Sequence, residues 1–142
     1  MSLKDELTEV FNQMSGEREI HAYLKKQPWL ILSTFMNAGG HLNYVLPEFS
    51  LAGKHFADFV VMQSFSGGWN IAFIELEPVD EKPFIKNGSP SKRLRGAIKQ
   101  IDDWRTFQDC EKASLCSQIT RLLCTVYTPL MRLMPVIIFL LL

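Results

Sequence analysis

Three acidic residues stand out for the chemistry they could do together. Asp58 lies in Phe56-Ala57-Asp58-Phe59-Val60-Val61, and Glu75 and Glu77 lie in Phe73-Ile74-Glu75-Leu76-Glu77-Pro78. Both segments are rich in β-branched and aromatic residues, which reads as two strands, His55 to Gln63 and Trp69 to Glu77. Gly67-Gly68 is a turn signal, so the strands should form a hairpin. Side chains alternate along a strand. Asp58 is therefore expected on the face of Val60 and Met62, and Glu75 and Glu77 on the face of Ile71 and Phe73. Two even loops are open. A two-residue Gly67-Gly68 turn sets Ser66 opposite Trp69 and Asp58 opposite Glu77. A four-residue loop over 65–68 sets Ser64 opposite Trp69 and Asp58 opposite Glu75. Either puts all three carboxylates on one face, whereas an odd loop would send Asp58 to the other.

Carboxylates this close repel one another. Protonation could compensate, as could a basic partner such as Arg93, Arg95 or Lys99, or a divalent cation. Oxygen-only donors suit Mg²⁺ or Mn²⁺, and a metal so held can activate water and stabilise charge on a phosphate. Charge spacing alone leaves these alternatives open.

The elements that must position the acids follow from periodicity. Leu3, Leu7, Val10, Phe11 and Met14 recur at helical spacing, so residues 2 to 14 form an amphipathic helix with Ser2 as its cap. Ser15-Gly16 breaks it. A second helix runs from Glu17 to about Lys26, burying Ile20, Tyr23 and Leu24, and Pro28 ends it. Trp29 to Leu32 read as core contacts. Asn37 to Gly40 is a loop, and Tyr44 to Leu51 a strand whose Pro47 implies an edge or a bulge. Pro78 to Pro90 is a long polar loop. Ser89 then caps a helix with Pro90 in its first position, burying Leu94, Ala97, Ile98, Ile101 and Trp104. Residues 112 to 124 form another helix, and Met134 to Leu142 a closing apolar strand. The order is ααβββααβ, an α/β (α+β) domain.

With 142 residues, 47% hydrophobic and 21% charged, the chain suits one globular domain. Net charge is zero, so nucleic acid would have to be met by a local patch. Cys110, Cys116 and Cys124 have neither disulfide nor zinc spacing, which fits a reducing cytoplasm. No secretory pattern opens the chain. The last apolar run is shorter than the roughly 20 residues a membrane helix needs, so no membrane association is expected. The chain stops inside that run, which suggests a product lacking its last elements.

The two acidic segments together resemble the PD-(D/E)XK nuclease superfamily and are most similar to the Shedu antiphage-defence nuclease domain. Three more stretches share the likeness: Glu19 to Leu32, Pro47-Glu48-Phe49, and Ala97 to Trp104. It covers residues 17 to about 107, leaving 1–16 as an accessory helix before a nuclease-like domain over 17–142. The resemblance implies a restriction-endonuclease-like core with a mixed central sheet. It implies a Mg²⁺- or Mn²⁺-dependent hydrolase of phosphodiester bonds, acting on DNA in defence. Asp58 and Glu75 would ligate the metal with the backbone carbonyl of Leu76, and Gln100 would reach the site from the following helix. Glu77 stands where the family's lysine is usual; a glutamate there can serve as ligand or base. Lys54, Lys82 or Lys99 could substitute for the lysine.

Lys92, Arg93, Arg95, Lys99 and Arg105 make one helix basic, a face that could contact phosphates or simply be solvated. Glu19 could assist the metal or favour its helix N-terminus. His55 differs in parity from Asp58 and reads as a surface residue, and His21 and His41 join no constellation. Trp29 and Trp104 read as core. Against the nuclease stands a non-catalytic module of the same fold, binding nucleic acid or protein, or a gene fragment. Self-association into a homo-oligomer is compatible with any of them.

Overall fold

The computed structural model describes residues 3–14, 16–35, 42–66, 68–77, 82–123 and 134–141. Ser2, the Asn37–Gly40 loop, His41, Gly67, residues 78–81, Cys124 and Leu142 lie outside them. The elements are α1 (Leu3–Asn12), α2 (Glu17–Lys26), α3 (Pro28–Phe35), β1 (Asn43–Leu51), β2 (His55–Phe65), β3 (Gly68–Glu77), α4 (Lys92–Cys110), α5 (Lys112–Leu123) and β4 (Met134–Leu141). This is a mixed α+β fold with one helix more than expected.

The extra helix arises at Pro28. The proline ends α2, but its missing N–H and fixed φ also suit the first turn of a new helix. A helix cannot turn four consecutive residues inward, so the expected core run divides. Ile31 is buried, Leu30 and Leu32 are half-buried, and Trp29 is 47% exposed rather than core.

The sheet has the order β1-β2-β3-β4, with β1, β2 and β3 antiparallel and β4 parallel to β3. β1 is an edge strand, which tolerates Pro47. In the hairpin Ser64 faces Trp69, Val60 faces Phe73 and Phe59 faces Ile74. This is the register that a four-residue loop predicts, and it ends at Phe59 and Ile74, one residue short of Asp58 and Glu75. Pairing reaches Phe65 opposite Gly68, so Gly68 belongs to the strand and not to a Gly67-Gly68 turn.

Each face of the sheet carries a core. Val60, Met62, Trp69, Ile71 and Phe73 pack against Ile101, Trp104 and Phe107 of α4 and Leu115 and Ile119 of α5. Phe59, Val61, Ala72, Ile74 and Leu76 pack with Leu24 of α2 and Ile31 of α3. On α4, Ala97, Ile101 and Trp104 are buried as expected, but Ile98 is exposed. The helix begins two residues later than its sequence suggested. Pro90 is held in a bridge with Phe84, and Ser91 caps the helix by accepting from the Leu94 N–H at 3.2 Å. Among the described residues no helix is long and apolar enough to cross a membrane. Cys110 is exposed and Cys116 half-buried, both as free thiols.

Candidate active site

The alternation that organises β2 fails at one point, and Asp58 is there. Val60 and Met62 face α4 and α5, while Phe59 and Val61 face α2 and α3. Unbroken alternation would put Ala57 with Phe59. Instead Ala57 lies in the α4–α5 core, as does Phe49, its partner on β1. The two sides exchange across residue 58 and across Glu48, which lies between the paired positions 47 and 49. Glu48 has a φ of 51°, in the left-handed region that is rare for a side chain of its kind. Pairing with β3 also stops at Phe59 and Ile74. Beyond it, the Leu76 N–H donates to Asp58 Oδ2 at 2.8 Å. The carboxylate takes the place of the carbonyl that a continuing ladder would have offered.

This corrects the parity expectation. Glu75 and Glu77 share the α4 side of β3, whereas Asp58 sits at the break in β2 with its carboxylate at the strand's hydrogen-bonding edge. His55 shows the same inversion. Its ring stacks edge-on against Phe107 at 5.7 Å, on the α4 side.

Glu75 carries the electrostatic strain of the site. Burial pushes its carboxyl up from 4.5 to about 8, and the charge of Asp58 adds to the rise. A hydrogen bond from Gln100 of α4 opposes it, while Glu77 and Glu17 raise it further. Gln100 is thus placed against Glu75 by the helix that follows the hairpin. Glu77 is differently occupied. Arg93 Nε donates to its Oε2 at 3.1 Å, and the same guanidinium lies 3.5 Å from Glu17 Oε2. The basic partner that the sequence left open is realised at Glu77.

α2 runs across the strand ends and lays a polar stripe on them. Residues four apart share a helix face, and Glu17, His21 and Lys25 are spaced so. Glu17 meets Arg93 beside β3, His21 Nε2 lies 3.7 Å from Asp58 Oδ1 on β2, and Lys25 Nζ lies 2.6 Å from Glu48 Oε1 on β1. Lys25 accordingly holds the Glu48 carboxyl below its ordinary value, through a hydrogen bond and its charge. His21 was not expected at the site. The available signal was the 17/21/25 spacing beside the buried Leu24, a pattern that any solvated helix face can also show. Glu19, for which the sequence left open assisting the metal or favouring its helix N-terminus, is exposed, while Glu17 of the same helix lines a groove with Glu77 and Gln100.

Lys92, Arg93, Gly96 and Gln100 line an open groove with Glu17 and Glu77. Other basic residues of α4 are engaged locally. Lys99 pairs with Asp103 at 2.7 Å, Arg105 lies 3.4 Å from Asp102, and Arg95 donates to the Pro90 carbonyl at 3.0 Å. Lys54 pairs with Glu111 at 2.9 Å and lies over the Phe107 ring. Lys82 is exposed on the loop before α4. Among the described residues no three His, Cys, Asp or Glu side chains group so as to hold a metal ion. The described residues therefore offer no cage of three carboxylates.

The fold and site together define an α+β domain with two neighbouring carboxylates at the end of a β-hairpin and a glutamine set against one of them. The family model for Shedu protein SduA, C-terminal, matches residues 14–121. The chain belongs to that family, and membership points to a role in Shedu-type defence. No curated protein and no solved structure matches the chain.

Proposed function

We propose that this domain is a metal-dependent nuclease of the PD-(D/E)XK type, hydrolysing phosphodiester bonds in DNA as part of antiphage defence. The observation that carries the reading is the closeness of Asp58, held by the Leu76 N–H, to Glu75 at the hairpin end, with Gln100 hydrogen-bonded to Glu75. A half-buried carboxyl raised to about 8 beside a second carboxylate is an arrangement that a cation would relieve.

The donors fit Mg²⁺ or Mn²⁺, which bind through one or two carboxylates and keep several waters. Asp58 and Glu75 would hold the ion. The backbone carbonyl of Leu76 would join them, because it leaves the strand on the same edge as the N–H that meets Asp58. Bound there, the ion would supply an activated water and charge stabilisation at the phosphate.

The remaining work falls to the chain itself. Gln100 orients Glu75. Arg93, fixed on Glu77, brings a positive charge to the place where the family's lysine is usual, and its guanidinium matches phosphate geometry. Lys92 and the open face at Gly96 leave room for a nucleic-acid backbone in the groove.

A second reading, a binding module that does not cut, is favoured by one observation. Glu77 is engaged by Arg93 and so supplies neither the lysine nor an open carboxylate. The test incubates the purified chain with supercoiled plasmid and Mn²⁺ or Mg²⁺, alongside Glu75→Ala. Nicking by wild type and not by the variant is expected. Absence of cleavage together with absence of metal binding by calorimetry refutes the nuclease; metal or DNA binding without cleavage selects the second reading.

A further inference from the structure

We infer that the loop over 82–92 is a nucleic-acid contact, in which Lys82, Lys86 and Lys92 take backbone phosphates and Phe84 sets its ring against the bases. The inference rests on the DNA-cleaving reading above and adds the element that grips the duplex beside the site. Between Glu81 and Asp102 the chain carries six basic residues and no acid. Three of them are engaged: Arg93 with Glu77 and Glu17, Lys99 with Asp103, and Arg95 with the Pro90 carbonyl. Lys82, Lys86 and Lys92 are exposed, and among the described residues no ion pair holds them. The uncommitted charge therefore lies on the loop and the first residue of α4, not along the exposed face of the helix. In a chain of zero net charge, such a local patch is what attracts a polyanion.

The same loop exposes two large apolar side chains, Phe84 at 55% and Ile85 at 49%. The main chain holds them there. Phe84 bridges to Pro90, the Ile85 N–H donates to the Ser89 carbonyl at 2.9 Å, the Gly88 N–H donates to the Ile85 carbonyl at 2.9 Å, and the Ser91 N–H donates to the Pro83 carbonyl at 2.8 Å. Gly88 supplies the positive φ of 80° in this turn. These bonds use neither the Phe84 ring nor a lysine side chain, so the loop offers an aromatic ring among three lysines from a fixed backbone. It adjoins the groove, since Lys92 follows the loop's neck at Ser91 and lines the groove with Arg93 and Gln100. Lysine is depleted at protein interfaces, and two exposed apolar side chains fall short of the roughly 800 Å² that a stable protein contact covers on each partner. Lysines on phosphates with an apolar or aromatic side chain set against the bases are instead a recurring way to hold nucleic acid.

The experiment measures binding of the full chain to a short fluorescein-labelled DNA duplex by anisotropy, in EDTA and across a series of KCl concentrations, with plasmid nicking in Mn²⁺ run in parallel. The double variant Lys82→Gln with Lys86→Gln is expected to lower the slope of log affinity against log salt by about 2. Phe84→Ala is expected to lose about tenfold in affinity with the slope unchanged, and Phe84→Trp to regain it. Circular dichroism melts of all three should match wild type, because the substituted side chains are exposed, and they separate loss of the contact from loss of the fold. Unchanged slope and affinity in these variants, with plasmid nicked by wild type, overturn this inference and leave the nuclease standing. Binding of wild type to phosphatidylserine vesicles and not to duplex overturns it in favour of a membrane contact. Failure of wild type to bind duplex overturns it whether or not plasmid is cut. Duplex bound with the expected variant effects, but never nicked, supports this contact and removes the cleavage reading alone.

Discussion

Glu75→Gln tests the electrostatics of the site directly, because the amide keeps the shape of the protonated acid and cannot ionise. In the folded protein Glu75 holds its proton up to about pH 8, while the unfolded chain releases it near 4.5. Between those values the native state binds more protons, so its stability falls as pH rises. The contribution is fully present below 4.5 and gone once pH has passed about 8. At about 1.36 kcal/mol per pH unit, the interval from 4.5 to about 8 sets a ceiling near 5 kcal/mol. Solvent reaches part of this carboxyl, and screening reduces the figure to about 2 kcal/mol. Urea unfolding of wild type and Glu75→Gln at a series of pH values reads the difference. The two should coincide near pH 4.5 and diverge as pH rises, with the variant more stable by about 2 kcal/mol at pH 9, or about 4–8 °C in Tm for a chain of this size. Parallel profiles across this range would show that Glu75 ionises normally and would remove the electrostatic argument for a cation at Asp58 and Glu75.

Two further substitutions probe the supports of the site. Asp58→Ala leaves the Leu76 N–H without its acceptor and should cost about 1–3 kcal/mol, while Asp58→Asn keeps an acceptor, should cost less, and should lower the Glu75 midpoint by removing the neighbouring charge; equal costs for both, by urea unfolding, would deny the hydrogen bond its role. Arg93→Gln strands Glu77 and Glu17 without their shared cation, and a loss of about 1 kcal/mol at low ionic strength is expected, shrinking in 1 M NaCl as the two carboxylates are screened.

Much of this protein is legible from its residues. The period-2 pattern around Asp58 and Glu75 locates a hairpin because a half-buried strand must alternate. The 3.6-residue pattern locates α1, α2 and α4 because each buries one stripe. Pro47 marks the edge strand because proline cannot donate to a second neighbour. The resemblance carried by the acidic segments and by Ala97 to Trp104 led to the Shedu family, which the match over residues 14–121 shows.

Tertiary structure decided the rest, and in each case the cause is non-local. The choice between two even registers depends on cross-strand packing, here Val60 on Phe73 and Ser64 on Trp69. The exchange of sides at Asp58 depends on a left-handed Glu48 in a different strand, which no pattern within β2 can announce. The division of labour among the acids depends on which helix crosses which strand end. Arg93 reaches Glu77, Gln100 reaches Glu75 and His21 reaches Asp58 because α4 and α2 approach the hairpin from opposite faces. The types and spacing of the three acids were enough to propose a site. Which carboxylate is neutralised, which is strained and which stands beside a histidine was decided by the packing of the two helices around the sheet.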